Sequence, residues 1–206
     1  MRLLIVGAGG HAKVVLDAAR CCGIEIAGVL GAVGGATELL GVPVTQGSTD
    51  LATMAADAFI IGIGDNRTRA EVYAEYLALG LTPATVVHPS AIIADSAELG
   101  AGTFVAAGAI VNPEAVIGAN AILNTGCTVD HDCVIGDHAL IGPLAGLCGA
   151  AQVGDGTLIG AGASVVPGAA VGAWSVVGAG AAVLTDVPDG SIAVGVPAVV
   201  VKRIEA

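Results

Sequence analysis

The sequence predicts a small N-terminal α/β domain with a parallel sheet, followed by a parallel β-solenoid. An aliphatic residue returns every six positions from Val87 to Val183, giving 17 hexads without a change of register. A period of six fits neither a 3.6-residue helix nor a two-residue strand, and is typical of a coil built from short straight runs and corners. The residues before the hexads follow a different order, in which a buried strand leads through a glycine loop into a helix.

The N-terminal segment begins with an apolar strand over residues 2–6, a tight loop over 7–10 and a helix over 11–22. The helical face that should pack on the sheet contains Val14, Val15, Ala18, Ala19 and Cys22. The pattern then predicts a strand over 24–30, a helix over 49–56, a strand over 59–64, a helix from 65–67 to 79, and a strand over 83–87 that enters the solenoid. This alternation indicates a Rossmann-like parallel sheet.

The glycine loop is a candidate phosphate or diphosphate site. Gly7, Gly9, Gly10 and His11 place backbone N–H groups at a helix N-terminus, which favours an anion, although a plain tight turn fits the same residues. A dinucleotide such as NAD would need an acidic residue at the end of the second strand, where Gly31-Ala32 stands instead. The pattern therefore argues against NAD.

Asp65 and Asn66 follow the third strand, at the sheet edge where α/β domains bind ligands. Both are candidate substrate-binding residues. At least one of them is equally a candidate N-cap for the helix that follows, because Asp and Asn side chains accept hydrogen bonds from the first turn. The sequence leaves both roles open.

Each hexad should point its aliphatic residue into the solenoid and use a small residue at the corner. If three hexads form one triangular turn, 17 hexads make between five and six coils. Open solenoid ends expose unpaired backbone groups, so we expect the flanking segments to cover them. The predicted organisation is an α/β domain over 1–86, a β-helix over 87–188 and a C-terminal tail over 189–206.

Composition excludes several classes of protein. A net charge of −11 argues against nucleic acid and anionic membranes as partners. Residues 156–185 carry no charge, but the hexad register and glycines continue through them, which argues against a membrane span. The N-terminal apolar run is too short for a signal peptide, so we expect a cytoplasmic protein. The five cysteines lack metal-site or disulfide spacing, and we predict no metal.

His131 is the main candidate for catalysis. It lies between Asp130 and Asp132, third in its hexad and beyond the inward Val129, where it can face out of the solenoid. An imidazole flanked by carboxylates can be oriented and kept basic, as a general base requires. From the residues alone, a solvated surface histidine is equally well supported.

Several motifs together resemble one family. VGAGGHAKVV, IGIGDNRTR, HPSA and NTGCTVDHDCVIGDH are similar to the hexapeptide-repeat acyltransferases that acetylate nucleotide-linked amino sugars in bacillosamine and perosamine pathways, and to sialic-acid O-acetyltransferase-like proteins. The resemblance implies a left-handed β-helix and acetyl-CoA as co-substrate. It also implies that His131 removes a proton from the sugar amine and that Asp132, where many relatives have Glu, orients the ring. Asp130 is the alternative orienting residue.

The resemblance assigns further residues. Gly149 would donate its backbone N–H to the thioester oxygen, and Asn124 matches a site asparagine, although a polar corner explains it nearly as well. The glycine loop would bind the diphosphate side of the sugar nucleotide. Acetyl-CoA would lie between two prisms of a homotrimer. The positions proposed to line it are Gly160, Ala161, Gly178, Pro197, Lys202 and Arg203, of which the last two are equally explained as solvated tail charges.

The chain departs from the family pattern in two places. Leu140 stands where relatives often carry a second histidine, so a contact to the acyl donor is in question, and Gly31-Ala32 leaves the nucleotide base open. We expect N-acetylation without a covalent intermediate. The alternatives are acetylation of a sugar hydroxyl and a non-catalytic binding or assembly protein.

Overall fold

The computed structural model describes residues 1–47 and 54–204, and its N-terminal domain is built on a six-stranded sheet. The described strands and helices of this domain are Arg2–Val6 (β1), Gly10–Cys21 (α1), Glu25–Gly31 (β2), Glu38–Leu39 (β3), Val42–Gln46 (β4), Ala58–Ile61 (β5), Asn66–Ala78 (α2) and Thr82–Pro83 (β6). The sheet order is β3-β4-β2-β1-β5-β6, and only the pair β3/β4 is antiparallel. The predicted parallel α/β domain is confirmed.

Three details of this domain differ from the sequence prediction. The hairpin of β3 and β4 was not predicted, and the expected strand 83–87 is two short strands in different sheets. The predicted helix 49–56 falls largely on residues 48–53, outside the described part of the chain. On α1, Val14 is 40% exposed and Cys22 is exposed, whereas Ala12 and Leu16 are buried. The buried stripe runs Ala12, Val15, Leu16 and Ala19, which is the regular i, i+3, i+4, i+7 helical face.

A triangular prism follows the α/β domain. Its 17 two-residue strands, β7 to β23, are Val86–Val87, Ile92–Ile93, Glu98–Leu99, Phe104–Val105, Ile110–Val111, Val116–Ile117, Ile122–Leu123, Thr128–Val129, Val134–Ile135, Leu140–Ile141, Gly146–Leu147, Gln152–Val153, Leu158–Ile159, Ser164–Val165, Ala170–Val171, Val176–Val177 and Ala182–Val183. Every strand pairs in parallel with the strand 18 residues away, so each coil has three strands and the 17 strands make five coils and two-thirds of a sixth. This confirms the predicted coil number.

The three faces of the prism are distinct sheets. The first face contains β7, β10, β13, β16, β19 and β22, and it continues into Ser191–Val194 (β24) and Val199–Arg203 (β25). The second face begins with β8 and the third with β9. The second residue of each two-residue strand points inward, and from Val105 onward these aliphatic residues are buried with the small corner residues in one continuous core.

The described part of the α/β domain packs along the side of the prism and leaves its first coil partly exposed, whereas the sequence analysis expected it to cover this end. The outward residues Val86, Phe104 and Ile122 of the first face are buried in the core of the α/β domain. Ile93 and Leu99 of the first coil remain partly exposed. At the opposite end the tail does act as a cap, because Ala198 packs on the prism core and its N–H donates to the carbonyl of Ala182 at 2.7 Å.

No described helix is long and apolar enough to cross a membrane. All five cysteines are free thiols, and Cys127 and Cys133 are buried at corners of the prism. The predicted boundaries after residues 86 and 188 stay predictions, although the first strand of the prism begins at Val86.

Candidate active site

His131 lies at the corner between the second and third faces, which we call the His131 corner (residues 130–133 and their equivalents 18 residues away). The preceding strand β14 belongs to the second face and the following strand β15 to the third. Val129 is buried, so the chain turns outward immediately after it and leaves the His131 side chain 60% exposed. The outward orientation predicted from the hexad register is therefore confirmed.

The His131 ring is held by Asp132. His131 Nδ1 lies 2.7 Å from Asp132 Oδ2. A carboxylate can only accept a hydrogen bond, so Nδ1 carries the proton and Nε2 of the neutral ring keeps a free lone pair. The hydrogen bond to Asp132, followed by the charge of Asp130, raises the pKa of His131. Nε2 is thus an exposed nitrogen of increased basicity.

Asp130 organises the turn and does not contact the ring. Its Oδ1 accepts hydrogen bonds from the backbone N–H of His131 at 2.8 Å and from Nδ2 of Asn112 at 3.0 Å. Asn112 occupies the same position one coil earlier, and the sequence analysis did not identify it. Of the two candidate orienting residues, Asp132 is the one whose carboxylate contacts the imidazole.

Gly149 lies directly beneath the His131 ring, one coil further along the prism. A Cβ atom at this position would lie 2.6 Å from Nε2 and 2.5 Å from Cε1 of His131, which is closer than real Cβ atoms approach. The Gly149 N–H donates no hydrogen bond within the described residues. An unpaired backbone donor thus lies beside an imidazole with a free nitrogen, as acyl transfer requires.

The glycine loop forms a second candidate site, at the carboxyl ends of the parallel strands. Gly7 has φ +118°, and a Cβ there would lie 2.9 Å from the carbonyl oxygen of Gly62, so only glycine fits. Gly9 is the N-cap residue of α1, so no side chain accepts a hydrogen bond from the first turn, and Cβ atoms on Gly9 and Gly10 would meet open space. The N-terminus of this 12-residue helix is therefore accessible to an anion.

His11 is partly buried at the start of α1, with its ring edge-on to Phe104 at 5.3 Å between centroids. Burial, and secondarily the charge of Arg69, lowers the pKa of His11 to about 4, so the ring is neutral at physiological pH. Its Nε2 is buried without a hydrogen-bond partner among the described residues. A buried polar nitrogen without a partner is uncommon and fits a contact completed by a ligand.

Asp65 and Asn66 both make structural contacts. Asp65 is the N-cap of α2 and accepts hydrogen bonds from the N–H and hydroxyl of Thr68 at 2.9 and 2.8 Å. The Thr68 bonds lower the pKa of the Asp65 carboxyl. Asn66 donates to the carbonyl of Gly156 in the prism at 2.9 Å. The predicted capping role is confirmed for Asp65, and substrate contacts by either residue stay predictions.

The remaining predicted positions lie away from His131. Asn124 is at the corner between the first and second faces, where its Oδ1 accepts from the N–H of Thr125 at 2.8 Å, as a polar corner residue would. Gly160 and Gly178 stack at this same corner in successive coils, and Ala161 follows Gly160. Pro197 has a cis peptide bond in the tail. Lys202 and Arg203 are exposed on β25, and Arg203 donates to the Asp189 carbonyl at 2.9 Å.

Leu140 is partly buried on the first face, in a cleft between the prism and the loop that follows β5. Its aliphatic side chain can neither donate nor accept a hydrogen bond in this cleft. Within the described residues, no group of three or more His, Cys, Asp or Glu side chains is arranged to hold a metal ion.

Comparison with known proteins identifies the family. Residues 2–76 match the model of the PglD N-terminal domain, and residues 114–149 match the model of the bacterial transferase hexapeptide (six repeats). The UDP-N-acetylbacillosamine N-acetyltransferase of Bacillus subtilis is 41% identical over 111 residues, which cover 50% of each chain. The chain therefore spans about half the length of this curated relative.

Two solved structures match over nearly the whole chain. PerB from Caulobacter crescentus, in complex with CoA and GDP-perosamine, has a TM-score of 0.92 and 39% identity, with 98% of both chains covered. The acetyltransferase domain of PglB from Neisseria gonorrhoeae has a TM-score of 0.90 and 33% identity, with 97% of this chain and 99% of that domain covered. The left-handed β-helix and the family predicted from the motifs are confirmed. The chain belongs to the family of hexapeptide-repeat N-acetyltransferases that these relatives represent.

Proposed function

We propose that this chain transfers the acetyl group of acetyl-CoA to the amine of a nucleotide-linked aminodeoxy sugar. The roles that we assign to the active-site residues rest on one observation. His131 presents a free Nε2 beside the unpaired N–H of Gly149, while Asp132 holds the opposite ring nitrogen. We assign His131 as general base, Asp132 as the residue that orients it, and the Gly149 N–H as donor to the thioester oxygen.

In the proposed reaction, the sugar amine attacks the carbonyl carbon of the thioester. A C–N bond forms and a tetrahedral intermediate places negative charge on the oxygen, which the Gly149 N–H stabilises. His131 Nε2 takes the proton that the amine nitrogen loses. The carbonyl then re-forms as the C–S bond breaks, and CoA leaves as a thiolate that receives the proton from His131, so no covalent enzyme intermediate is required.

The named relatives support acetyl-CoA and a nucleotide sugar as substrates. PerB was solved with CoA and GDP-perosamine, and the PglB acetyltransferase domain with acetyl coenzyme A. The Bacillus subtilis relative is named for a UDP sugar and PerB was solved with a GDP sugar. Relatives thus differ in the base, and Gly31-Ala32 at the end of β2 leaves the base of this chain's substrate open.

The position of the two candidate sites favours a homotrimer. The loop after β5 contacts the corner between the third and first faces, whereas His131 lies at the other edge of the third face. A sugar nucleotide on the glycine loop of one subunit would therefore be met by His131 of a neighbouring subunit. We expect a solution mass of three 19.8 kDa chains by analytical ultracentrifugation, and a stable monomer would contradict this arrangement. The cytoplasmic location stays a prediction.

A mass-spectrometric screen tests the proposed activity. The chain is incubated with acetyl-CoA and a panel of UDP- and GDP-linked aminodeoxy sugars, with the corresponding hydroxy sugars as matched controls. We expect a product 42 Da heavier from at least one amino sugar, which is the mass of an acetyl group replacing hydrogen. Acetylation of only the hydroxy sugars would favour the O-transfer alternative, and the absence of any product would overturn the proposal.

The substitution Asp132→Asn should change the pH dependence of turnover. The hydrogen bond to Asp132 raises the pKa of His131, so the native base becomes protonated, and inactive, at a higher pH than free histidine. Without that carboxylate, we expect the acidic limb of the kcat profile to move to lower pH while the plateau falls, because Nε2 is less basic and the ring is less firmly held. The exposed Asp95→Asn is the matched control, and an unmoved limb in Asp132→Asn would contradict the assignment.

A further inference from the structure

Arg69 is the largest side chain buried without a counter-ion in the described part of the chain. It is 0% exposed, and no described carboxylate lies within 4.0 Å of its guanidinium. Burial lowers its pKa to about 10, so it remains charged at neutral pH. An unpaired buried charge is costly unless hydrogen bonds compensate for the lost water. The groups that surround Arg69 must therefore supply these hydrogen bonds.

The guanidinium is satisfied by backbone carbonyls from both domains. Nη1 donates to Ile63 and Gly64, in the loop over residues 62–65 that we call the β5–α2 loop, at 3.3 and 3.1 Å. Nε donates to Asn120 at 3.1 Å, and Nη2 to His138 and Ala139 at 2.6 and 3.4 Å, all in the prism. Only the planar five-donor fork of arginine reaches acceptors on both sides at once.

Most of these acceptors depend on Arg69. Within the described residues, the carbonyls of Ile63, Gly64 and His138 accept no other hydrogen bond, whereas that of Ala139 also accepts from the N–H of Ile122. The amide of Asn120 returns a bond to the Arg69 carbonyl at 3.3 Å. Removing the guanidinium would release the loop from the prism and leave polar groups unpaired.

Side chains of helix α2 contact each of the first five coils of the prism. The contacts lie along what we call the docking corner, between the third and first faces (residues 100–103 and their equivalents 18 residues away). In coil order, the contacts are Tyr73 Oη to the Ala101 carbonyl at 3.0 Å, Arg69 to Asn120 and His138, Asn66 to Gly156, and Arg67 over the Trp174 ring at 4.8 Å. Arg69 is the one member of this row that also holds the β5–α2 loop.

The β5–α2 loop lies against the candidate nucleotide site. A Cβ on Gly64 would lie 3.9 Å from Cβ of His11, and a Cβ on Gly7 of the glycine loop would touch Gly62. We propose that Arg69 is a positioning residue for the nucleotide sugar: it fixes the β5–α2 loop on the prism and thereby sets where the sugar is presented. This inference rests on the proposed function and adds to it a residue that touches no substrate.

Steady-state kinetics of Arg69→Met and Arg69→Lys test the proposal. We expect Arg69→Met to raise KM for the nucleotide sugar by about tenfold or more while KM for acetyl-CoA changes by less than about twofold, because only the sugar site is displaced. Arg69→Lys keeps the positive charge but not the planar guanidinium, so we expect its KM for the nucleotide sugar to lie between those of the native chain and Arg69→Met. Tyr73→Phe is the matched control, since it removes another bond of α2 to the prism without touching the loop, and should leave both KM values unchanged.

Hydrogen exchange of the same variants separates this inference from the proposed activity. We expect faster amide exchange in residues 62–66 of Arg69→Lys than in the native chain or Tyr73→Phe, whether or not any amino sugar is acetylated. If the native chain is inactive, the proposed function fails, and the amide hydrogen exchange of residues 62–66 then tests by itself whether Arg69 holds the β5–α2 loop. If Arg69→Met does not fold, Arg69→Lys decides. Unchanged exchange in Arg69→Lys, or an equal rise of both KM values, would overturn the proposal.

Discussion

Replacing His131 by alanine should reduce kcat/KM for acetyl transfer by about 10²–10⁴, the usual contribution of a general base. The exposed ring contributes nothing to the prism core, so the variant should fold and unfold at the temperature of the native chain. An amine is a better nucleophile than a hydroxyl and needs less activation. We therefore expect measurable residual N-acetylation, near the smaller end of that range of loss.

His88→Ala is the matched control for this prediction. His88 is a half-exposed histidine at the start of the prism, and its Nδ1 contacts the hydroxyl of Ser90 at 2.8 Å. It lies in the first coil, outside both candidate sites, so its loss should leave kcat/KM within about twofold of the native value. Full activity in His131→Ala, or an equal loss in His88→Ala, would rule out His131 as the base.

The prism could be predicted almost completely because its sequence pattern is local. Each hexad contributes one inward aliphatic residue and one small corner residue, and each coil pairs only with its neighbours. Five to six coils and the outward direction of His131 follow from this rule and from the assumption of three hexads per turn. The rule also contains a signal that was missed: the residues just before the inward positions of the first face are Val86, Phe104, Ile122, Leu140, Leu158 and Val176.

Those six outward residues are all apolar, whereas the second and third faces carry Thr128, Ser164, Glu98 and Gln152 at equivalent places. An apolar ladder at intervals of 18 residues indicates a face that another element covers. In the structure the α/β domain covers its first three members. This apolar ladder indicates that the α/β domain packs on the side of the prism, whereas the sequence analysis expected it at the end.

The polar contacts that join the two domains, unlike this apolar ladder, could not be predicted from the sequence. Arg69 and Asn66 donate to backbone carbonyls, and any residue type can present a carbonyl. No complementary charge in the prism marks where Arg69 binds, so its partners cannot be found from residue identities. Asn112 is different, since it stands 18 residues before Asp130 and the coil period places them together.

Gly149→Ala should reduce kcat by about 10²-fold, because a displacement of about 1 Å at a catalytic group can cost that much. The added methyl would overlap Nε2 and Cε1 of His131, so the ring must tilt away or leave its hydrogen bond to Asp132. Alanine keeps the backbone N–H, and the substitution therefore tests the position of the ring without deleting the donor to the thioester. The measurement is kcat in single variants whose thermal unfolding matches that of the native chain.

A double-mutant cycle supplies the control for this prediction. In a His131→Ala background the ring is absent, and the methyl at position 149 has no imidazole to displace. We therefore expect Gly149→Ala to cost little further activity there, so that the two losses are strongly non-additive. Additive losses would mean that the methyl group blocks a substrate directly. An undiminished kcat in Gly149→Ala alone would mean that the His131 ring does not occupy the position above Gly149 during catalysis. Non-additivity would establish that the missing side chain at Gly149 is what lets His131 lie close enough to the Gly149 N–H for both to act on one thioester.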